Sequence, residues 1–331
     1  GMTKLTVGAD SMAEYKKLFG TACNTWFPIL SESMDSEIRR AYRGGWTYAD
    51  PRFRNVVQRR PIRVYDVNSL YPSVMYDRLL PYGDPVWVNG YPEPTDDYPL
   101  YIASITFTAK LKPDHVPCIQ IKNHRFIQNA EYVSEIVEPL TVTCTNVDLA
   151  LWQDHYDMDI ISYDGAWMFK GMVGAFTQYI DKWMQVKATT TGGLREIAKL
   201  HLNSFYGKFA TNSYVIPKIP ILGGDRVIHF VKGPEETRNP VYTAMGVFIT
   251  AYARDVTIRA AQANYPIFAY ADTDSLHLLT DTDPDNLNID PTALGAWKFE
   301  GAFDAGLYVR AKCYTEYTEA CTCHQTPHAR A

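Results

Sequence analysis

Short apolar runs predict β-strands in three parts of the chain. Residues 63–67 form one such run, which breaks at Asn68, and residues 267–279 form a longer run that Asp-Thr-Asp interrupts at 272–274. Continuous runs of this length are typical of buried strands. Residues 86–145 combine Pro and Tyr with alternating apolar positions. We therefore interpret this third region as β-rich and as a candidate for a separate insertion.

Other patterns predict one hairpin and two helical regions. Residues 218–231 contain two alternating runs around a Gly-Gly pair at positions 223 and 224. Two such runs joined by glycines predict a β-hairpin whose turn is made by the Gly-Gly pair. Residues 170–210 and the Ala-rich residues 244–264 follow a helical pattern, so we expect helices there.

The overall charge argues mildly against a nucleic-acid partner, but one region has the opposite sign. The chain has 331 residues, a formal net charge of −5 and 23 Tyr. Binding to phosphates requires a positive field. Residues 182–218 contain six basic residues, at 182, 187, 195, 199, 208 and 218, against Glu196 as their one acid. This segment is a local basic patch that the overall charge conceals.

Cysteine usage and hydropathy indicate the compartment. Four of the six Cys are scattered along the chain, at Cys23, Cys118, Cys144 and Cys313, as expected for reduced thiols in a cytosolic protein. No apolar run approaches membrane-spanning length and no signal peptide is visible, so we expect a cytoplasmic protein with no membrane partner. The remaining pair could bind zinc with nearby histidines, although the C-x-C-H spacing does not match the usual fingers; these residues are Cys321, Cys323, His324 and His328.

Two acidic residues stand between the apolar halves of the run at 267–279. Because side chains alternate along a strand, a period of two places Asp272 and Asp274 on the same side. Two carboxylates at the tip of apolar strands form a hard-oxygen site suited to Mg²⁺ or Mn²⁺. The alternative is a surface turn, where Asp is common because it bonds its own backbone. A lone D-x-D pattern favours that alternative.

A third carboxylate ends another apolar strand. If the strand containing Asp66 lies beside the strand after Asp274, the two carboxylates can share two cations. That arrangement suits phosphoryl transfer, because one metal activates the attacking hydroxyl and the other stabilises the leaving oxygens. The alternative is that Asp66 caps the turn or helix that follows it.

The predicted helix at 194–207 has a polar stripe with an unusual mixture of groups. The stripe members are spaced by four, four and three residues and fall on one helical face; they are Arg195, Lys199, Asn203 and Tyr206. Two cations, an amide and an aromatic ring suit an incoming nucleoside triphosphate. We expect a second, apolar face from Leu194, Ile197, Ala198, Leu202, Phe205 and Phe209. We also expect the helix to end at Gly207. The alternative is a solvated charged face.

Taken together, these segments resemble motifs of the family B DNA polymerases. Residues 66–73 (D-V-N-S-L-Y-P-S) resemble the first palm motif, residues 199–207 the fingers motif, and residues 270–275 (Y-A-D-T-D-S) the second palm motif. They follow one another in the family's order. The Y-R-G-G at 42–45 and the K-C-Y at 312–314 resemble elements of the protein-primed bacteriophage branch.

The resemblance implies an α+β fold with a palm of antiparallel sheet and helices, fingers helices and β-rich insertions of the terminal-protein-region type. It divides the chain into a lead-in at 1–60, palm at 61–85 and 241–318, an insertion at 86–180, fingers at 181–211, a strand-displacement hairpin at 212–240 and an unstructured tail at 319–331. It implies two Mg²⁺ or Mn²⁺ ions as cofactors. Primer-template DNA and dNTPs are the implied partners, with a terminal protein as a further one.

The resemblance also assigns roles to individual residues. The catalytic residues would be Asp66, Asp272 and Asp274, with metals held by Asp66, the Val67 carbonyl and Asp274. Nucleotide binding would fall to Tyr71, Lys187, Lys199, Asn203 and Tyr206. DNA contacts would fall to Tyr42, Gly44, Gly45, Ser69, Arg195, Lys208, Thr273, Lys312 and Tyr314.

Departures from the family leave the function open. Family members begin with a 3′–5′ exonuclease domain and end with a thumb, and this chain offers room for neither, so we expect no proofreading and a weak grip on duplex. The leading hypothesis is a phage or prophage polymerase core. The alternatives are a remnant that binds DNA or a terminal protein without turnover, and a two-metal nuclease.

Overall fold

The computed structural model describes residues 4–121, 132–237 and 241–318. Within these ranges, no helix combines the length and the apolar character needed to span a bilayer. The predicted tail at 319–331, with the candidate zinc ligands Cys321, Cys323, His324 and His328, lies outside the described residues.

Helices occupy the first part of the chain, the predicted helical regions and the segment after the acidic strand. Thr6 and Thr145 accept hydrogen bonds from backbone N–H groups in the first turns that follow them, which satisfies donors left unpaired at a helix start. The bounds are α1 Val7–Phe19, α2 Ala22–Trp26, α3 Glu32–Arg39, α4 Leu70–Asp77, α5 Asn146–His155, α6 Thr177–Thr189, α7 Gly193–Phe205 and α8 Thr243–Ala263.

The strands of the central sheet and of the β-rich region pair antiparallel throughout. The bounds are β1 Thr47–Ala49, β2 Ile62–Val67, β3 Leu80–Val88, β4 Leu100–Leu111, β5 Glu135–Thr145, β6 Tyr156–Met172, β7 Tyr214–Val215, β8 Lys218–Leu222, β9 Ile228–Lys232, β10 Glu236–Thr237, β11 Phe268–Asp272, β12 Ser275–Leu278, β13 Trp297–Phe303, β14 Ala305–Arg310 and β15 Cys313–Tyr317.

Among the residues that the structure describes, these strands form two larger sheets and three two-stranded ones. The central sheet has the order β1-β11-β12-β2-β13, and the β-rich region forms a sheet of order β3-β6-β4-β5. The pairs are β14-β15, β8-β9 and β10-β7. The combination of helices with antiparallel sheets confirms the predicted α+β class. The helices expected at 170–210 are α6 and α7, separated where Gly192 turns the chain with φ 61°. Residues 170–172 were predicted wrongly as helical and instead end strand β6.

Helix α8 lies in the interior and joins the two larger sheets. It contacts β3 and β5 of one sheet and β11 and β12 of the other, as well as α3, α4 and α5. Its Ala-rich sequence permits this close packing: a Cβ added to Gly246 would lie 2.9 Å from the backbone nitrogen of Ala210. The buried helix therefore fixes the central sheet relative to the β-rich region.

The hairpin β8–β9 confirms the predicted strand pair but not its turn. The left-handed conformation in this turn falls on Arg226, with φ 61°, and not on the Gly-Gly pair. The N–H of Gly223 donates to the carbonyl of Val227 at 2.9 Å, and the N–H of Arg226 donates to Gly223 at 3.0 Å. The Asp225 side chain accepts from the Val227 N–H at 3.0 Å. The loop is therefore longer than the expected two-residue turn.

Candidate active site

Two neighbouring strands of the central sheet bring the predicted carboxylates together. In the pairing of β12 with β2, Ser275 lies opposite Asp66. The N–H of Val67 donates to the carbonyl of Asp274 at 2.8 Å. Asp66 and Asp274 therefore meet at one end of the sheet, where both border a cavity of about 590 Å³. The prediction that the strand of Asp66 lies beside the strand after Asp274 is therefore confirmed.

Asp272 joins this end of the sheet by a different route from the predicted alternation. The chain turns at Thr273, whose φ is 64°, and the N–H of Asp274 donates to the carbonyl of Asp272 at 2.7 Å. A bond from residue i+2 to residue i makes a γ-turn, so the period of two does not continue through the turn. Asp272 and Asp274 nevertheless both border a second cavity, of about 700 Å³, which Asp66 also borders.

The Gly-Gly pair of the Y-R-G-G segment supports the acidic turn. The carbonyl of Trp46 accepts the N–H of Thr273 at 2.7 Å. A Cβ added to Gly45 would lie 2.6 Å from Cγ2 of Thr273, whereas one added to Gly44 would meet no atom within 4 Å. Since real Cβ contacts are wider than this, position 45 requires glycine for the close approach. Tyr42, in the same segment, has a raised pKa, mainly because the ring is partly buried and to a smaller extent because Tyr206 lies close to it.

A buried ion pair holds the same segment in place. Arg254 of α8 donates to Oδ1 of Asp148 on α5 at 2.7 Å, and its Nη1 donates to the carbonyls of Arg43 and Gly44 at 2.7 and 3.0 Å. Both partners are almost fully buried. Burial opposes the charged form of Asp148, but Arg254 and Arg43 outweigh burial and hold the pKa of this carboxyl below its ordinary value.

The opposite wall of the first cavity is made by helices α6 and α7 and by Tyr206 after α7. Every member of the predicted polar stripe borders it, together with one lysine of α6; these residues are Arg195, Lys199, Asn203, Tyr206 and Lys187. Lys187 Nζ donates to the hydroxyl of Ser69 at 3.1 Å. Burial and then the nearby Arg195 and Lys199 lower the pKa of Lys187. A cation held among cations is a site that a multiply charged anion stabilises.

The predicted apolar face of α7 is only partly correct. Ala198, Leu202, Phe205 and Phe209 are buried, but Leu194 and Ile197 are 59% and 40% exposed. Residues 193–197, at the start of α7, are all exposed, so apolar spacing alone overstated the buried face. His201 occupies part of that face instead, with Nδ1 3.0 Å from the hydroxyl of Ser11 in α1.

Two aromatic rings close the cavity between the walls. Tyr71 of α4 and Tyr206 after α7 stack with ring centroids 3.8 Å apart and planes 15° apart. Burial and the adjacent Tyr206 raise the pKa of Tyr71. The pair forms a flat apolar surface beside the carboxylates, of the kind on which a base or a sugar can lie.

The K-C-Y segment borders the second cavity. Lys312 forms an ion pair with Asp272, and its backbone N–H donates to the hydroxyl of Tyr270 at 2.9 Å. The ring of Tyr314 lies 4.7 Å from that of Tyr270. The structure therefore places both predicted primer-contacting residues within reach of the acidic turn.

A buried polar cluster fastens the β14–β15 hairpin to the central sheet. Nδ1 of His277 on β12 lies 2.6 Å from Oε1 of Glu316 on β15. The hydroxyl of Tyr308 on β14 donates to the same carboxylate oxygen at 2.7 Å. These three side chains are buried. The K-C-Y segment and the acidic turn are thus held by one connected framework.

Four of the predicted DNA contacts border neither cavity; they are Tyr42, Gly44, Gly45 and Lys208. The Lys208 side chain passes Gly8 of α1, since a Cβ on Gly8 would lie 3.1 Å from Cε of Lys208. It borders neither the first nor the second cavity.

Two residues that sequence reasoning missed belong to the site. Lys298 of β13 lies opposite Asp66 in the sheet, and its Nζ lies 2.5 Å from Glu300. Both residues border the first cavity, and Glu300 borders the second as well. The sequence W-K-F-E is typical of an ordinary edge strand. Only the pairing of β13 with β2 reveals its proximity to the carboxylates.

The oxygen donors at the site form a small set. The part of the chain that the structure describes holds no group of three or more His, Cys, Asp or Glu placed to bind a metal ion. The carboxylates bordering the first cavity are those of Asp66, Asp274 and Glu300, with Val67 beside them, and Glu300 is paired with Lys298. Carboxylate and carbonyl oxygens suit Mg²⁺ and Mn²⁺, which keep water or substrate phosphate as their other ligands.

Comparison with known proteins assigns the chain to a family. The family model for DNA polymerases of type B, organellar and viral, matches residues 2–292. The chain belongs to this family. The resemblance to family B polymerases of bacteriophages, stated from the motifs, is confirmed.

Individual type B relatives match along most of the chain. The DNA polymerase of Bacillus phage Nf is 44% identical over 320 residues, covering 96% of this chain and 56% of that relative. The DNA polymerase of Streptococcus phage Cp-1 is 33% identical over 324 residues, covering 95% of this chain and 57% of that relative. The chain thus spans little more than half the length of these relatives.

Solved structures agree with this family assignment. The structure described as Phi29 DNA polymerase complexed with primer-template DNA and incoming nucleotide substrates matches with a TM-score of 0.90 and 41% identity, covering 98% of this chain and 59% of that one. A binary complex of the same polymerase with primer-template DNA matches with a TM-score of 0.88 and 42% identity. The helices and sheets of the chain therefore share their arrangement with a type B polymerase.

Proposed function

We propose that the chain catalyses template-directed transfer of a nucleotide from a dNTP to a primer hydroxyl. The observation that supports this most is the first cavity, whose walls carry opposite charges. Asp66 and Asp274 form one wall, and Lys187, Arg195 and Lys199 form the other. A dNTP with its cations matches both walls, since its phosphates can lie between them.

In this proposal, Asp66, Asp274 and the Val67 carbonyl hold two divalent cations. When bound, the two ions lower the pKa of the attacking hydroxyl and stabilise charge on the leaving oxygens. The two carboxylates neutralise part of the ions' charge and fix their position, because strand pairing orders both side chains. Asp272 is not a ligand in this proposal, since Lys312 pairs with it.

The cations of α6 and α7 bind and orient the triphosphate. Lys187 is partly buried and hydrogen-bonded to Ser69, so its ammonium group has a fixed position. Lys199 pairs with the exposed Glu196 at 2.8 Å, and a phosphate competes for that ammonium group. We propose that the stacked Tyr71 and Tyr206 contact the sugar and the nascent base pair, and that Asn203 lies beside them.

The second cavity then receives the primer end and the template. Lys312 and Tyr314 border it beside the acidic turn. We propose that they hold the primer backbone, and that Ser69, Thr273 and the Gly44–Gly45 backbone position the strands. Arg195 and Lys208 contact phosphates further out. This division gives the first cavity to the nucleotide and the second to the growing strand.

We also propose that a terminal protein can supply the first hydroxyl. The motifs shared with the protein-primed phage branch support this, as does the four-stranded sheet of β3 to β6, whose strands pair with no strand of the central sheet. The matching test is transfer of a labelled dNTP to an added terminal protein from a phage relative. A chain that extends DNA primers but never labels the terminal protein would remove this part of the proposal.

Single-nucleotide primer extension tests the main proposal. The chain is incubated at low salt with a primed template and each dNTP in turn, with Mg²⁺ or Mn²⁺. We expect incorporation of the templated base only, because weak phosphate contacts survive at low salt. Asp274→Asn abolishes it, and Asp285→Asn, in the loop between β12 and β13, serves as the matched control because its side chain is exposed.

The outcomes separate the competing functions. A folded chain that binds primed DNA but adds no nucleotide with either metal would contradict the polymerase proposal and favour a binding module. Loss of DNA in the absence of dNTPs, abolished by Asp274→Asn, would favour a two-metal nuclease.

A further inference from the structure

A second basic segment of the chain lies outside the site described so far. Residues 51–65, between Asp50 and Asp66, contain five arginines and no acidic residue; they are Arg52, Arg54, Arg59, Arg60 and Arg63. This density of cations contrasts with the net charge of −5 for the whole chain. A charge cluster of this kind in an acidic protein needs either internal partners or an external one.

Arg52 and Arg63 have internal partners that fix the loop. Arg52 forms an ion pair with Asp50 at 2.9 Å and lies over the ring of Tyr265. Arg63 pairs with Asp283 at 2.7 Å. These contacts are structural, since they tie both ends of the segment to the palm.

Arg59 and Arg60 differ from these two. Both side chains are exposed. Neither forms an ion pair with any residue in the ranges that the structure describes. Arg60 instead lies with its guanidinium 5.1 Å from the ring centroid of Phe53. That contact orients the guanidinium but leaves its charge available to solvent or to an anion.

Backbone hydrogen bonds hold this loop against the hairpin that carries the K-C-Y segment. The N–H of Asn55 donates to the carbonyl of Tyr308 at 2.8 Å. Gln58 and Gly306 exchange two bonds, at 2.8 and 3.0 Å. The loop therefore extends the β14–β15 pair by a further edge. Arg59 and Arg60 are fixed to the same framework as Lys312 and Tyr314.

Strand geometry gives the distance of these arginines from the site. Arg60 precedes Asp66 by six residues along β2 and the residues leading into it. A fully extended chain of this length spans roughly 20 Å at about 3.3 Å per residue, which is an upper limit here because Arg60 lies in a bend before β2. Gly306, which bonds the loop, precedes Lys312 by the same number of residues. Phosphates of one strand advance by about 3.4 Å each along the axis of the duplex, so roughly 20 Å along that axis corresponds to about six nucleotides.

We propose that Arg59 and Arg60 bind the backbone of the primer–template duplex about six base pairs behind the primer end. This inference rests on the proposed function, because it requires the primer end to lie beside the acidic turn. The surface supplies positive charge that the chain as a whole lacks. Its partner is duplex DNA, recognised by phosphate and not by sequence.

The test compares hairpin primer–templates with stems of about four and about fourteen base pairs, lengths chosen on either side of the expected contact. Binding is measured over a range of salt for the unmodified chain and for Arg59→Gln/Arg60→Gln. The control Lys16→Gln/Lys17→Gln removes the same charge from two exposed lysines at the end of α1. Thermal unfolding checks that all variants are folded.

We expect the arginine variant to lose affinity for the long stem only, by about tenfold at low salt. The slope of log K against log salt becomes shallower by about two, since each phosphate contact contributes about 0.9. The control keeps the slope. Equal losses on both stems, or no loss on either, would overturn the inference.

If the unmodified chain extends primers while the arginine variant binds both stems with the affinity of the unmodified chain, the inference fails and the proposed function stands. If no primer is extended, the proposed function fails, and stem-length-dependent binding alone decides the inference.

Discussion

The two walls of the first cavity are built in different ways. The carboxylate wall stands on β2 and β12, where Tyr65, Val67 and Leu276 are almost completely buried. The cation wall stands on α6 and α7, and the N-cap of α7 is Gly192, which offers no side chain to cap the helix. In the first two turns of α7, Leu194, at 59%, and Leu200, at 49%, are exposed.

This difference suggests a division of labour. The carboxylates are ordered by strand pairing and by buried neighbours before any ligand arrives, which is what charge stabilisation in a transition state requires. The cations sit on long side chains at a helix that makes few buried contacts in its first turns. We expect that helix to gain order from the nucleotide. Changes behind the carboxylate wall should therefore damage the chemistry, and changes on the cation wall should damage binding.

Removing one carboxylate is expected to have the largest effect. Asp274→Asn retains the shape of the side chain but removes charge that holds the cations. Several kcal/mol of charge stabilisation corresponds to about 10³-fold in rate. Rapid-quench primer extension measures this, with circular dichroism showing that the fold is retained. A loss below about tenfold would mean that Asp274 is not part of the reacting site.

Breaking the buried ion pair tests the support behind that wall. Arg254→Ala leaves Asp148 charged and buried and leaves the carbonyls of Arg43 and Gly44 without their donor. The unfolding free energy should fall by about 3 kcal/mol or more, which is the usual cost of removing one partner of a buried pair. Urea denaturation measures it.

The pH dependence of this pair has a definite sign. Because the folded pKa of Asp148 is depressed below the ordinary value of 3.8, its contribution to stability is present above that pH and is lost as the pH falls further. The difference in unfolding free energy between Arg254→Ala and the unmodified chain should therefore become smaller in acid. A difference that stays constant down to pH values well below 3.8 would contradict the depressed pKa.

A smaller change behind the carboxylate wall should also be felt. Gly45→Ala places a methyl group against Thr273, and overpacking of this kind costs about 1–3 kcal/mol. Gly44→Ala is the matched control for stability, because its methyl group meets no atom within 4 Å. Thermal unfolding measures both. Thr273→Ser removes Cγ2 and should restore part of the loss in the Gly45→Ala background, and failure of that rescue would mean that the contact is not the cause.

The smallest expected effect lies on the cation wall and depends on pH. Because the pKa of Lys187 is lowered, its positive charge, and with it the affinity for dNTP, should be lost at a lower pH than for an ordinary lysine. The KM for dNTP should therefore rise in alkaline solution. Arginine at this position stays charged, so Lys187→Arg should make that rise smaller. The expected difference is about tenfold, or about 1.4 kcal/mol. Parallel pH profiles for the two chains would contradict the assignment of Lys187 to the phosphates.

The sequence was most informative where chemistry is local. Spacing within about a dozen residues is enough to predict the D-x-D turn, the Lys199 stripe and the strand before Asn68. The structure brings residues of all three to one cavity. The assigned roles of these residues and the domain boundaries stay predictions, as do the absence of proofreading and the cytoplasmic location.

Features that depend on distant parts of the chain were beyond the sequence. Glu300 approaches Asp66 only because β13 pairs with β2. Gly45 is constrained by Thr273, which lies far away in the sequence. The exposure of Leu194 could not be predicted, because periodicity shows that a helix face is apolar but not whether another part of the chain packs against it.

The most direct test of the two-wall account is the kinetics of single-nucleotide incorporation over a range of dNTP concentrations. The account predicts that Asp274→Asn lowers the maximal rate with little change in KM, whereas Lys199→Gln raises KM with a much smaller effect on the maximal rate. If both variants changed the same parameter by the same factor, or if Lys199→Gln lowered only the maximal rate, the separation of chemistry and binding between the two walls would be contradicted.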